Sequence, residues 1–221
     1  MADPGEGLDD DGLIHTSASI DRISGAFRRV LDSTIDAIRV AAPNASVYAY
    51  GSITTGQATS PTSDVDILTI GLSDAAASQI GDTQSARFRD LCRSVEIAAA
   101  SPEDLVGDSD EAYGGRIFLH HYCVHLVGAD LDAATTRFPG DRRGARGFNG
   151  DIASHLSQWR GAADTSDPAA LGRRIARKTL LAVAGLVSGH DDTGTTDRAP
   201  AARRWSEVHP TLQVGLEELV A

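Results

Sequence analysis

Ser63-Asp64-Val65-Asp66-Ile67-Leu68-Thr69-Ile70 is the stretch on which the reading of this chain turns. Apolar and β-branched residues dominate it and Gly71 closes it, so residues 64–70 read as a strand. In a strand, residues two apart share a face. Asp64 and Asp66 therefore stand side by side, with Val65 and Ile67 facing the other way. Two bare carboxylates roughly 7 Å apart repel by about 2–3 kcal/mol at an effective dielectric near 20. Burial beside the apolar run raises that cost. A divalent cation, which takes oxygen ligands, removes it. The plainer alternative is an exposed strand end with both acids in water.

Upstream, Ser-Val-Tyr-Ala-Tyr-Gly-Ser at residues 46–52 reads as a shorter strand that stops at Gly51. A glycine there lets a phosphate approach backbone amides, and the Ser52 hydroxyl can donate to a phosphate oxygen. Residues 51–63 read as a loop or a broken helical turn. Downstream, residues 74–93 read as a helix anchored by Ile80, Phe88 and Leu91, and residues 94–100 (Ser-Val-Glu-Ile-Ala-Ala-Ala) as a third strand. Glu96 is the acid inside that β-like run; Asp90, Glu103 and Asp104 compete with it.

Gly51-Ser52, an intervening segment, and then Asp64-Val65-Asp66 on a strand resemble the signature of the nucleotidyltransferase superfamily that includes DNA polymerase beta and the small antibiotic nucleotidyltransferases. The strong part of the resemblance covers residues 45–70. It implies an α+β fold, with a small mixed sheet flanked by helices and followed by an all-helical C-terminal domain. It also implies two Mg²⁺ ions, replaceable by Mn²⁺, on Asp64, Asp66 and a third acid, for which Glu96 is the candidate. The triphosphate would lie on Gly51, Ser52, Thr55 and Ser63, with cationic help from Lys178, Arg174 or Arg177, or from Arg198, Arg203 and Arg204. The implied reaction moves a nucleoside monophosphate from an NTP, ATP foremost, to a hydroxyl of a small acceptor such as an aminoglycoside, with release of pyrophosphate. A nucleotide-binding antitoxin or regulatory module of the same fold, and a protein-modifying transferase, are the alternatives. The chain departs from the small antibiotic enzymes just after Gly-Ser, where it has Ile53-Thr54-Thr55 and no basic residue.

Farther out, residues 17–41 carry Ile20, Ile23, Phe27, Val30, Leu31, Ile35 and Ile38 at helical spacing, with Ser17 or Ser19 as the expected N-cap. Residues 1–16, acidic and glycine-containing, read as a disordered leader. Residues 112–128 fit a helix or a strand, with a final strand at Cys-Val-His-Leu-Val-Gly. On a strand, His121, Cys123 and His125 would share a face, although their spacing matches no tetrahedral zinc pattern. The expected organisation is a catalytic domain over 17–140 and a helical domain over 141–221, divided within the Gly- and Arg-rich residues 138–147. Helices are expected near 148–163, 168–189, 197–207 and 210–220. Residues 195–205 resemble the threonine-plus-basic segment before the last helices of aminoglycoside nucleotidyltransferases.

With 20 basic and 31 acidic residues the chain carries a formal charge of −11, which disfavours a passive nucleic-acid coat. Residues 141–204 run against this trend, with eleven basic and seven acidic groups. Lys178 is the single lysine among 20 basic residues. No apolar stretch approaches the roughly 20 residues of a spanning helix. Two cysteines and no basic-then-apolar leader fit a reducing cytoplasm. Walker A, protein-kinase and Gly-x-Ser-x-Gly motifs are missing from the sequence.

Overall fold

A computed structural model describes residues 3–132, 137–148, 152–187 and 198–220. Two two-residue strands, β1 (Gly7–Leu8) and β2 (Ile14–His15), form an antiparallel pair near the N-terminus. Residues 3–16, expected to be a disordered leader, are thus built into the fold. Ile14 is buried, and the segment is tied to Phe138 and Pro139 by a backbone hydrogen bond and an isolated bridge. Helix α1 (Gly25–Ala41) begins later than the apolar spacing suggests. Ser19 caps a single 3₁₀ turn instead, accepting from the Asp21 N–H, and Ile20 is left 41% exposed. Ser24 then stands at the N-cap position of α1.

The central sheet contains β3 (Ser46–Tyr50), β4 (Val65–Ile70), β5 (Val95–Ala100) and β6 (Val124–Val127), in the order β5-β4-β3-β6. β3 runs antiparallel to both β4 and β6, while β5 runs parallel to β4. A four-residue helix, α2 (Ser52–Thr55), follows β3, and α3 (Asp74–Arg87) makes the crossover from β4 to β5. The segment that fits either class resolves into both: α4 (Asp110–Tyr122), then β6 after Cys123.

Period-2 alternation sorts the sheet into two faces. Val47, Ala49, Val65, Ile67 and Val95 join Phe27, Val30, Leu31, Ile35 and Ile38 of α1 in the main core, with Ala77 of α3. The other face bears Tyr48 and Ile70 beneath Leu119 of α4, with Leu68, Ala100 and Leu131 around them. Asp64, Asp66 and Glu96 fall on this second face by the same alternation.

Residues 138–147, expected as the boundary between two parts, are not a loose linker. They contain α5 (Arg142–Gly147), which crosses α4 at the contact of Gly114 with Gly147. A Cβ on either glycine would overlap the other helix's backbone. Helices α6 (Ile152–Ala162), α7 (Pro168–Val187), α8 (Arg198–Val208) and α9 (Gln213–Val220) complete the described chain. Leu180 and Val183 of α7, Ala202 of α8 and Leu216 of α9 share a small core with Trp205 and Leu219. The fold is α+β, with a helical C-terminal region, as the sequence implies. The expected loop after α7 and the Thr195-Thr196-Asp197 part of the threonine-plus-basic segment lie outside the described residues. No helix among those described is long and apolar enough to cross a membrane.

Candidate functional site

Three acids meet on the second sheet face. Register puts Asp66 of β4 opposite Glu96 of β5 and opposite Tyr50 of β3, making a row of Tyr50, Asp66 and Glu96. Asp64 lies one pleat back, just before β4. The Ser94 hydroxyl links the outer acids, 2.6 Å from Asp64 Oδ1 and 3.4 Å from Glu96 Oε1. It has one proton to give, and the shorter contact to Asp64 takes it.

The acids differ in how their charge is met. Asp64 is 8% exposed. Burial opposes its ionisation, but a two-pronged hydrogen bond from Arg93 and the Ser94 hydroxyl hold it below the ordinary carboxylate range. Arg93 Nε lies 2.9 Å from Oδ1, and Nη2 bonds Oδ2. Asp66 has no such partner among the described residues. Burial, then Glu96, then Asp64 push its pKa up from 3.8 to about 7, against the weaker pull of Arg177 and Arg93. Burial and the neighbouring Asp66 also raise the Tyr50 phenol.

Gly51 turns the chain out of β3 at φ +74° and ψ −151°, a region open essentially to glycine alone. A Cβ there would sit 2.6 Å from Asp66 Oδ2. This close approach brings the start of α2, with Ser52, against the acids. The other expected nucleotide residues fare differently. Ser63 Oγ accepts the Thr59 N–H and so closes its own loop. Thr55 is buried, and its hydroxyl donates to the Ser52 carbonyl at 3.3 Å. From α7, Arg177, next to Lys178, adds its positive charge to Tyr50, Asp64 and Asp66. Arg93, Ser94 and Tyr50 carry no signal in the sequence that singles them out.

No three His, Cys, Asp or Glu side chains among the described residues converge closely enough to hold a metal ion as they stand. Asp64, Asp66 and Glu96 nevertheless suit a hard dication in kind: all are oxygen donors, and no cation among the described residues is hydrogen-bonded to Asp66. Arg93 occupies both oxygens of Asp64, so that carboxylate would have to be released before it could take a cation. The His-Cys-His strand face does not form. His121 lies in the last turn of α4 and Cys123 is its C-cap, whereas only His125 lies on β6. His121 Nε2 accepts the Phe138 N–H at 2.9 Å, and His120 Nδ1 lies 2.7 Å from Asp132.

Comparison with known proteins adds little to this geometry. No family model matches the chain. Among curated proteins none matches. Among solved structures, a toxin–antitoxin crystallised with AMP-PNP is similar at 17% identity and a TM-score of 0.34, over 60% of this chain and 93% of that one.

Proposed function

We propose that this protein is a metal-dependent nucleotidyltransferase, moving a nucleoside monophosphate from ATP or another NTP to a hydroxyl of a small acceptor and releasing pyrophosphate. The observation that carries this reading is the row of Asp66 and Glu96 on adjacent parallel strands beside Asp64, with Asp66 lacking a hydrogen-bonded cation among the described residues. Asp66, Glu96 and Asp64 would hold the divalent cation, Mg²⁺ in the first instance. Bound there, it would neutralise triphosphate charge and make the acceptor hydroxyl more acidic. Glu96, the exposed member, would take the acceptor's proton. The Gly51 turn and Ser52 would orient the outer phosphates, with Arg177 adding positive charge from α7. The acids' role is positioning and charge neutralisation.

Beyond Asp66 on the same sheet face, Leu68 and Ile70 floor an open cavity of about 450 Å³ together with Phe118. Glu103, Asp104 and Glu111 rim it. Such a groove suits a cationic acceptor with an apolar side, in keeping with an aminoglycoside-like molecule. A cytoplasmic setting, reducing and supplied with ATP and Mg²⁺, fits the free thiols of Cys92 and Cys123.

The test is pyrophosphate release from ATP with Mg²⁺ by the intact chain. Asp64→Asn or Asp66→Asn should lower turnover by about 10³-fold or more, equivalent to about 4 kcal/mol of barrier. Glu96→Gln should lower kcat with little change in nucleotide affinity. Near-normal rates in the two aspartate variants would end this reading. One observation favours a second reading, a nucleotide-binding module without turnover: Arg93 already neutralises Asp64. Nucleotide binding without any pyrophosphate release, whatever the acceptor offered, would favour it.

A further inference from the structure

Arg93 stands out because of how it is placed. Helix α3 stops at Arg87, and a tight turn follows in which the Cys92 N–H bonds the Phe88 carbonyl. Residues 93 and 94 are then stitched to the start of β4: the Arg93 N–H donates to the Ser63 carbonyl, and the Val65 N–H donates to the Ser94 carbonyl. The Arg93 backbone is thereby fixed beside Asp64, while its side chain remains 66% exposed. The guanidinium turns one edge to Asp64 and leaves Nη1 without a hydrogen-bond partner among the described residues. A planar fork with spare donors at the mouth of an acid cluster is suited to phosphate oxygens. The Gly51-Ser52 turn, meanwhile, is followed by Ile53-Thr54-Thr55 and brings no cation of its own.

We propose that Arg93 is an exchangeable counter-ion that positions both reactants: it holds Asp64 in the absence of cation, releases it to the divalent ion, and passes to a phosphate oxygen of the arriving nucleotide. This rests on the nucleotidyl-transfer reading above. The Arg93 side chain is largely in solvent and can swing away, and the exchange leaves no bare charge behind because the cation replaces it at the buried Asp64. The Arg93–Asp64 pair and the cation compete for the same two oxygens. Nucleotide and cation therefore bind with positive coupling, because a triphosphate that occupies Arg93 frees Asp64 for the ion.

The test is binding, read by calorimetry on the full chain in wild type, Arg93→Gln, Arg93→Lys and Asp66→Asn. Mn²⁺ alone, and a non-hydrolysable ATP analogue with and without Mn²⁺, are the titrants. Arg93→Gln should bind Mn²⁺ alone about tenfold more tightly and the Mn²⁺–nucleotide pair about tenfold more weakly, each about 1.4 kcal/mol. Coupling between the two ligands should disappear. Arg93→Lys keeps the charge without the fork, and should restore part of the nucleotide affinity. Melting curves of the variants control for folding. If Arg93→Gln leaves Mn²⁺ affinity unchanged while Asp66→Asn weakens it, the exchange role is wrong and the carboxylate site stands. If wild type and Arg93→Gln both fail to bind Mn²⁺, the exchange and the nucleotidyl-transfer reading fall together.

Discussion

At the scale of single residues, Asp66 is a carboxyl whose charge the fold opposes. Its folded pKa, about 7, lies above the value of 3.8 expected unfolded. Folding therefore takes up a proton between these limits. The cost of the Asp66 charge grows as pH rises from about 4 to about 7, and is constant above that. Asp66→Asn should accordingly stabilise the cation-free protein at pH 8, by about 1–2 kcal/mol. A chain of this size gains about 2–4 °C in Tm for each kcal/mol. The gain should vanish toward pH 4, and thermal melts at the two pH values check it; equal gains at both would mean that Asp66 is ordinarily solvated. That Asp64 and Asp66 share a face was legible because strand alternation fixes it, whereas the place of Glu96 beside Asp66 depends on the register of β5 against β4. Arg93 was not legible, because its role depends on pairing residues 93–94 with residues 63–65, a contact across the β4-α3-β5 crossover. For Ser63 the structure adds a local contact that the sequence does not show: its oxygen accepts the nearby Thr59 N–H.

At the scale of elements, the close crossing of α4 and α5 is the contact least tolerant of change. The Gly147 Cβ position is filled by the Asp110 carbonyl and the Gly114 backbone. In Gly147→Ala the two helices must separate, at a cost of about 2–3 kcal/mol. Denaturant titration measures this, and an unchanged midpoint would show that α5 is free to shift. Gly144, one turn earlier, adds to the fit, since a Cβ there would lie 2.7 Å from Ile117 Cδ1. None of this is visible in composition: Gly- and Arg-rich residues 138–147 resemble a linker until the partner helix is known. Strands β3, β4 and β5 were legible from alternation and β-branched content. The start of α1 was not, because Ile20 continues the apolar period although the turn at Ser19 takes it out of the helix. The N-terminal strand pair was hidden for a similar reason. Its order comes from Phe138 and Pro139, more than 120 residues away in sequence.

At the scale of the whole molecule, the sheet divides two kinds of work. One face is apolar and packed by α1 and α3, and the other gathers the acids and is covered in part by α4. Composition showed the acidic surplus and the basic excess over residues 141–204, and in the structure Arg177 of α7 adds its field to the acid cluster. The order β5-β4-β3-β6 and the register of its strands have no local signature, yet they decide which carboxylates meet. That register is held from behind. The Val95 N–H donates to Ser85 Oγ, which donates to the Gly81 carbonyl, and a Cβ on Gly81 would stand 2.9 Å from the Val95 carbonyl. Gly81→Ala should therefore lose stability despite the roughly 1 kcal/mol that alanine gains over glycine in a helix. It should also weaken Mn²⁺ binding several-fold with all three acids intact, and calorimetry beside a melting curve would show both or refute the link. Helix α3 thus works as a tuning screw on the far side of a wall: a change in its seam with β5 at Gly81 would shift Glu96 and its neighbours on the other surface without altering any of the acids themselves.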